Sequence, residues 1–149
     1  MTIHYHNRSK LSKDKEDGAT FHKDLKSLLN VSDVLSVCCP ATKETTNLIN
    51  KETLEYLPPG AVVTNVARGD IVNDEALIEA LNSRKVYAVG LDVYKGEPNL
   101  NPGYLKHKSA FILPHLGSAS KHTRTAMANL AIDNIDEFFK TGSSKNKVN

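Results

Sequence analysis

Four short apolar runs, each ended by a turn, constrain this chain more than any other feature. They are residues 33–39, stopped by Pro40; residues 61–66; residues 85–93, carrying Val86, Ala88, Val89 and Leu91; and residues 111–113 before Pro114. The run over 33–39 is nearly continuous rather than alternating, the pattern of a strand covered on both faces. Helical spacing fills the intervals between them. Residues 51–57 form one candidate helix, closed by Pro58-Pro59-Gly60, and residues 74–81 form another, with Asp74 placed as its cap. Strands alternating with helices predict an α/β fold built on a parallel, doubly wound sheet.

The flanks extend this pattern. Residues 1–6 alternate in part, through Ile3 and Tyr5, and predict a strand; residues 7–18 are polar loop with at most one helical turn. Residues 19–21 suit a short edge strand, and residues 24–29 a helix capped by Asp24. The longest helix is expected over 119–140. There Ala126, Met127, Leu130, Asn134, Ile135, Phe138 and Phe139 share a stripe, flanked by Ile132, that reads as core or interface. Residues 141–149 are a polar tail expected to fray.

Charge and cysteine usage narrow the function. A net charge of +2 with both signs interspersed gives no basic stripe for nucleic acid. No apolar run approaches the roughly 18 residues of a membrane span, and no signal-peptide pattern opens the chain. The two cysteines, Cys38 and Cys39, are adjacent, which suits neither a disulfide framework nor a zinc site, so no metal is expected. A cytoplasmic protein is the plain reading.

In a parallel sheet the strand ends share one edge, where ligands bind. One end carries Arg68 and Gly69. The next carries Asp92 and, in the loop beyond, Glu97. A third carries His115, with Gly117-Ser118 opening the long helix. Taken singly, each has an ordinary explanation: an Arg tying down a loop, a Glu in solvated loop, a His at a helix entry. Together they make a small machine. An imidazole exchanges a proton, a carboxylate orients it and favours its charged form, and a planar guanidinium holds an anionic substrate. The remaining histidines (His4, His6, His22, His107 and His122) have no such company and are expected to be structural or surface residues.

Three stretches carry a resemblance. Asn65-Val66-Ala67-Arg68-Gly69-Asp70-Ile71-Val72, then Gly90-Leu91-Asp92-Val93-Tyr94-Lys95-Gly96-Glu97-Pro98, then Leu113-Pro114-His115-Leu116-Gly117-Ser118 resemble, in order and spacing, motifs of the D-isomer-specific 2-hydroxyacid dehydrogenases. The likeness is to their glyoxylate/hydroxypyruvate reductase branch in particular, and it runs from residue 1 to about 141. It implies a Rossmann-like nucleotide fold, a nicotinamide cofactor and a small 2-oxo acid substrate. By that resemblance Arg68 binds the substrate carboxylate and carbonyl, and Glu97 pairs with His115, the proton donor. Asp92 holds the nicotinamide carboxamide, and Cys39, Pro40, Val66, Ala67 and Gly117 line the cofactor. The formate dehydrogenase branch has Gln where this chain has Glu97, so the Glu favours hydroxyacid chemistry. Where NAD-preferring folds place an acid after the second strand, this chain reads Asn7-Arg8-Ser9-Lys10, which favours NADP over NAD.

The resemblance also has a gap. No Gly-x-Gly-x-x-Gly turn occurs in the sequence, and residues 1–6 align with the family's second strand. In the order 3-2-1-4-5-6 the first strand is central, so without it the sheet is expected to split, leaving apolar edges. The helix end that would hold the pyrophosphate is missing as well, and the stripe on the last helix would be uncovered. These features predict the C-terminal portion of a longer reductase. Residues 1–140 would be a partial dinucleotide-binding domain and 141–149 a tail, with the N-terminal substrate domain absent. Alone it would bind NADP poorly and turn over little, and in full-length form it would be a homodimer. The competing expectation is a catalytically silent, dinucleotide-sensing interaction module of the same fold.

Overall fold

A computed structural model describes residues 1–148. The chain runs β1 (His4–His6), α1 (Lys13–Glu16), β2 (Thr20–His22), α2 (Leu25–Leu29), β3 (Val34–Val37), α3 (Lys51–Glu55), β4 (Ala61–Asn65), α4 (Asp74–Asn82), β5 (Val86–Leu91), β6 (Ala110–Ile112) and α5 (Lys121–Thr141). Short 3-10 turns cover Gly69–Ile71 and Tyr104–Lys106. All strand pairs are parallel, as the strand–helix alternation demands. The strands form two sheets: β1 with β2, and β3-β4-β5-β6 in that order. The expected split thus falls between β1 and β3. The chain divides into two units, residues 1–114 and residues 115–149.

The core of the first unit lies on the four-stranded sheet. Ala61, Val63 and Asn65 are the buried positions of β4, alternating with half-buried Val62 and Thr64. Leu77, Ala80 and Leu81 of α4 are buried in the same cluster, which takes in Val89 and Leu91 of β5, Leu54 of α3 and Leu29 of α2. Each fully buried Leu, Ile or Val contributes about 1.5–3 kcal/mol of transfer free energy. That burial, more than propensity, fixes a nine-residue helix such as α4.

Three expectations need correction. β3 is not covered on both faces: Leu35 and Val37 are buried, while Val34 is 56% exposed and Ser36 also faces water. Successive side chains of a strand point to opposite faces, so one face of β3 packs on the core cluster and the other is open. Asn73, not Asp74, caps α4, its side chain accepting from the Ala76 amide (2.9 Å). Asn and Asp cap almost equally well, so one residue of slip leaves no trace in sequence. The stripe on α5 is uncovered, as expected: Met127, Leu130, Ile135 and Phe138 are each more than half exposed. The described part of the tail turns back onto α5, for Asn146 Nδ2 and Ser144 Oγ donate to Asn134 Oδ1 and the Lys145 amide donates to Glu137 Oε2. Asn149, the tail's last residue, lies outside the described residues. Asp24 caps α2 as expected, accepting from the Ser27 amide at 2.8 Å.

Candidate active site

The sheet register sets the site. Val37 pairs with Asn65, Asn65 with Leu91, and Leu91 with Ile112. Four strands therefore end in one row, and the predicted site residues come directly after them: Cys38-Cys39-Pro40 after β3, Val66-Ala67-Arg68 after β4, and Asp92 after β5. After β6 the Leu113 amide donates to Leu91 O (2.8 Å). His115 and Gly117 then open the second unit.

Asn65 is the brace of this edge. It is 1% exposed, a polar side chain at the last position of an apolar strand. Its Nδ2 donates to Arg68 O (2.9 Å) and its Oδ1 accepts the Ala67 amide (3.0 Å), closing the turn that carries Arg68. Its own carbonyl takes the Asp92 amide (3.0 Å), tying the β4 and β5 ends together. Arg68 is exposed, with Nη1 donating to Ala67 O at 2.6 Å. Val66, beside it, is exposed at 59%, and Asp92 is buried.

Gly69 brings the next loop in. A Cβ at this position would overlap the backbone carbonyl group of Tyr94 and the Lys95 nitrogen. Only glycine permits the Arg68 segment and the Glu97 loop to lie backbone against backbone. Within that loop Glu97 Oε1 accepts the Tyr94 amide (3.1 Å). Arg68, Asp92 and Glu97 are thus brought onto adjoining segments of the first unit. Asn65 and Gly69 were not among the predicted site residues. Their signals were present: an Asn ending an apolar run, and a Gly directly after an Arg.

His115 has φ of 57°, the left-handed region that non-glycine residues seldom enter and in which Asn, Asp and His are enriched. Cys39 is half-buried, and burial pushes its thiol above the ordinary range. Asn7, Arg8 and Ser9 follow β1 and are exposed, with the Arg8 amide held on Asn7 Oδ1 (2.9 Å). Glu44, in the segment after β3, is held below the usual carboxylate range. The Thr42 side chain is the largest cause, followed by the Glu44 backbone amide. Among the described residues no cluster of three or more His, Cys, Asp or Glu side chains could hold a metal. No described helix is long and apolar enough to cross a membrane.

Comparison with known proteins adds to this geometry. Residues 1–117 match the family described as "D-isomer specific 2-hydroxyacid dehydrogenase, NAD binding domain". Glycerate dehydrogenase of Hyphomicrobium methylovorum is 43% identical over 141 residues, which are 93% of this chain and 44% of that protein. A solved D-isomer-specific 2-hydroxyacid dehydrogenase from Polaromonas superposes with a TM-score of 0.96 at 41% identity, covering 99% of this chain and 46% of the other. An NADPH-dependent glyoxylate/hydroxypyruvate reductase from Sinorhizobium meliloti, solved with NADP and malonate, gives 0.91 at 36% identity, over 97% of this chain and 44% of its own. The chain spans less than half the length of each of these three relatives.

Proposed function

Because the chain belongs to the D-isomer-specific 2-hydroxyacid dehydrogenases, with the α/β, Rossmann-like fold of their NAD-binding domain, we propose that it serves NAD(P)-dependent reduction of a small 2-oxo acid to the 2-hydroxy acid. Glyoxylate and hydroxypyruvate are the substrates closest to its motifs. The observation that carries this reading is the row of strand ends. Val37, Asn65, Leu91 and Ile112 stand in register, and Arg68, Asp92 and Glu97 sit on the segments just beyond them.

The residues present suit a nicotinamide dinucleotide. Half-buried Cys39, exposed Pro40 and exposed Val66 offer apolar surface beside buried Asp92, a set suited to a flat ring that bears an amide. Bound nicotinamide supplies the hydride. The chain does the rest. The Arg68 guanidinium holds the substrate carboxylate by paired N–H···O bonds, which a Lys cannot reproduce. His115 gives a proton to the substrate's carbonyl oxygen, and Glu97 orients the imidazole and favours its charged form. Asp92 and the backbone at Ala67 and Gly117 orient the nicotinamide. Arg8, with Asn7, Ser9 and Lys10, takes a 2′-phosphate, so NADP is preferred to NAD. Residues 1–140 act as the dinucleotide-binding portion of an enzyme that works as a homodimer.

The test is NADPH oxidation with glyoxylate, run on this chain and on a form extended by upstream coding sequence, alongside NADPH titration by fluorescence. The extended form is expected to turn over and this chain to bind weakly, as it has no Gly-rich phosphate turn. His115→Ala in the active form is expected to cost about 10²–10⁴-fold in kcat. Absence of oxidation in both forms overturns the reading.

A further inference from the structure

One buried polar pair in the first unit has no part in the chemistry above. Tyr104 is 1% exposed, and its hydroxyl donates to Asp74 Oδ1 at 2.9 Å; Asp74, the first residue of α4, is itself 5% exposed. Burial raises the Asp74 carboxyl above its ordinary range, against the lowering effect of the Tyr104 hydroxyl. Beside the pair, Gly103 lies so close to α4 that a Cβ there would come within 2.6 Å of Ile78 Cδ1. The Gly103 amide is held by Asn101 Oδ1 (2.9 Å).

These contacts fasten the far end of a loop whose near end is already fixed. Tyr94 and Lys95 lie against Gly69; Gly103 and Tyr104 lie against Ile78 and Asp74. Both ends of the Glu97 loop are therefore clamped to one short piece of chain, the piece just after Arg68. Apolar residues at both 104 and 74 would fill the same space without the expense of burying a carboxylate. A buried carboxylate with a hydroxyl partner does something apolar packing does not: it is satisfied in one arrangement of the loop only.

We propose that Tyr104, acting through Asp74, is a positioning residue for Glu97. The Tyr104–Asp74 bond sets the return leg of the loop and so holds the Glu97 carboxylate in register with the Arg68 segment. This rests on the reading of Glu97 as the acid that pairs with His115.

Hydrogen exchange read by mass spectrometry on the 149-residue chain tests the clamp without turnover. In Tyr104→Phe, which keeps the ring and loses the hydroxyl, amides over 94–103 are expected to exchange at least tenfold faster, while β4 and β5 keep their protection. Asp74→Asn keeps an acceptor for Tyr104 and is expected to exchange like the parent. In the extended, active form Tyr104→Phe is expected to lower kcat, change KM for glyoxylate less than twofold and move the pH profile of kcat/KM. Loop exchange within twofold of the parent in Tyr104→Phe overturns the proposal. So does faster exchange spread evenly over β4 and β5. An extended parent without reductase activity overturns the functional reading instead, and the exchange result still decides the clamp.

Discussion

In the four-stranded sheet and the helices on it, Val63, Ile71 and Leu77 lie fully out of water, whereas no residue of β1 or β2 is buried. Both sheets are parallel and both alternate with helices, so strand type does not explain the difference. β4 and β5 each have a neighbour on both sides; β1 and β2 have only each other. The two-stranded ribbon relies on side-chain contacts instead. The Tyr5 and Phe21 rings meet at a tilt of 53° with centroids 5.2 Å apart, and the His4 Nδ1 and His22 Nε2 ring nitrogens bond at 2.9 Å. Parallel ribbons of two strands have little independent stability, and three or more strands over an apolar face are the usual requirement. The site residues divide in the same way: Arg68, Asp92 and Glu97 belong to the well-buried region, while Asn7, Arg8 and Ser9 hang from the ribbon.

Emptying each region in turn puts this difference under the greatest strain. Leu77→Ala is expected to cost about 2–5 kcal/mol by urea denaturation, as for other fully buried Leu. Phe21→Ala, at a half-buried ring, is expected to cost roughly half as much or less, although it deletes the larger side chain. Equal losses would mean that the ribbon shares the main core. Gly69→Ala comes next. Its new methyl meets Tyr94 backbone rather than a yielding side chain, so overpacking of about 1–3 kcal/mol is expected. The loss should appear with faster exchange in the Glu97 loop and unchanged exchange in β1 and β2.

Much of the well-buried region could be read directly. The apolar runs that became β3 to β6, the Arg68 segment and helix α4 are local patterns, and burial reinforces local pattern wherever neighbours lie on both sides. What escaped is long-range. Tyr104 and Asp74 stand 30 residues apart, and nothing in either stretch announces the other. The His4–His22 pair, 18 residues apart, is hidden for the same reason. The open face of β3 was misread because a run such as Val34-Leu35-Ser36-Val37 describes what a strand can bury, not which neighbours it has. Left-handed His115 gave no signal either, since a backbone angle is imposed by context.

The smallest predicted effect separates the two regions by sign. Asp24, capping α2 beside the ribbon, is held below its ordinary value of 3.8, first by the Ser27 amide and more weakly by the Ser27 hydroxyl and the charges of His6 and His22. A carboxylate depressed on folding contributes stability that is present above its unfolded value and is lost as pH falls through the folded one. Asp74, in the main core, is displaced the other way by burial. Well below 3.8 its proton is on in both states and it costs nothing; as pH rises from 3.8 to the elevated folded value the unfolded chain ionises while the folded carboxyl keeps its proton, and stability is lost. Acidification from about pH 6 to 3 is therefore expected to weaken α2 and the ribbon while relieving the start of α4. Comparing each Asn variant with the parent by urea midpoint isolates the two contributions. The stability advantage of the parent over Asp24→Asn should shrink as pH falls, whereas its disadvantage against Asp74→Asn should shrink over the same range. Profiles that move in the same direction would show that one environment governs both carboxylates, and the division between ribbon and core would then have no electrostatic counterpart.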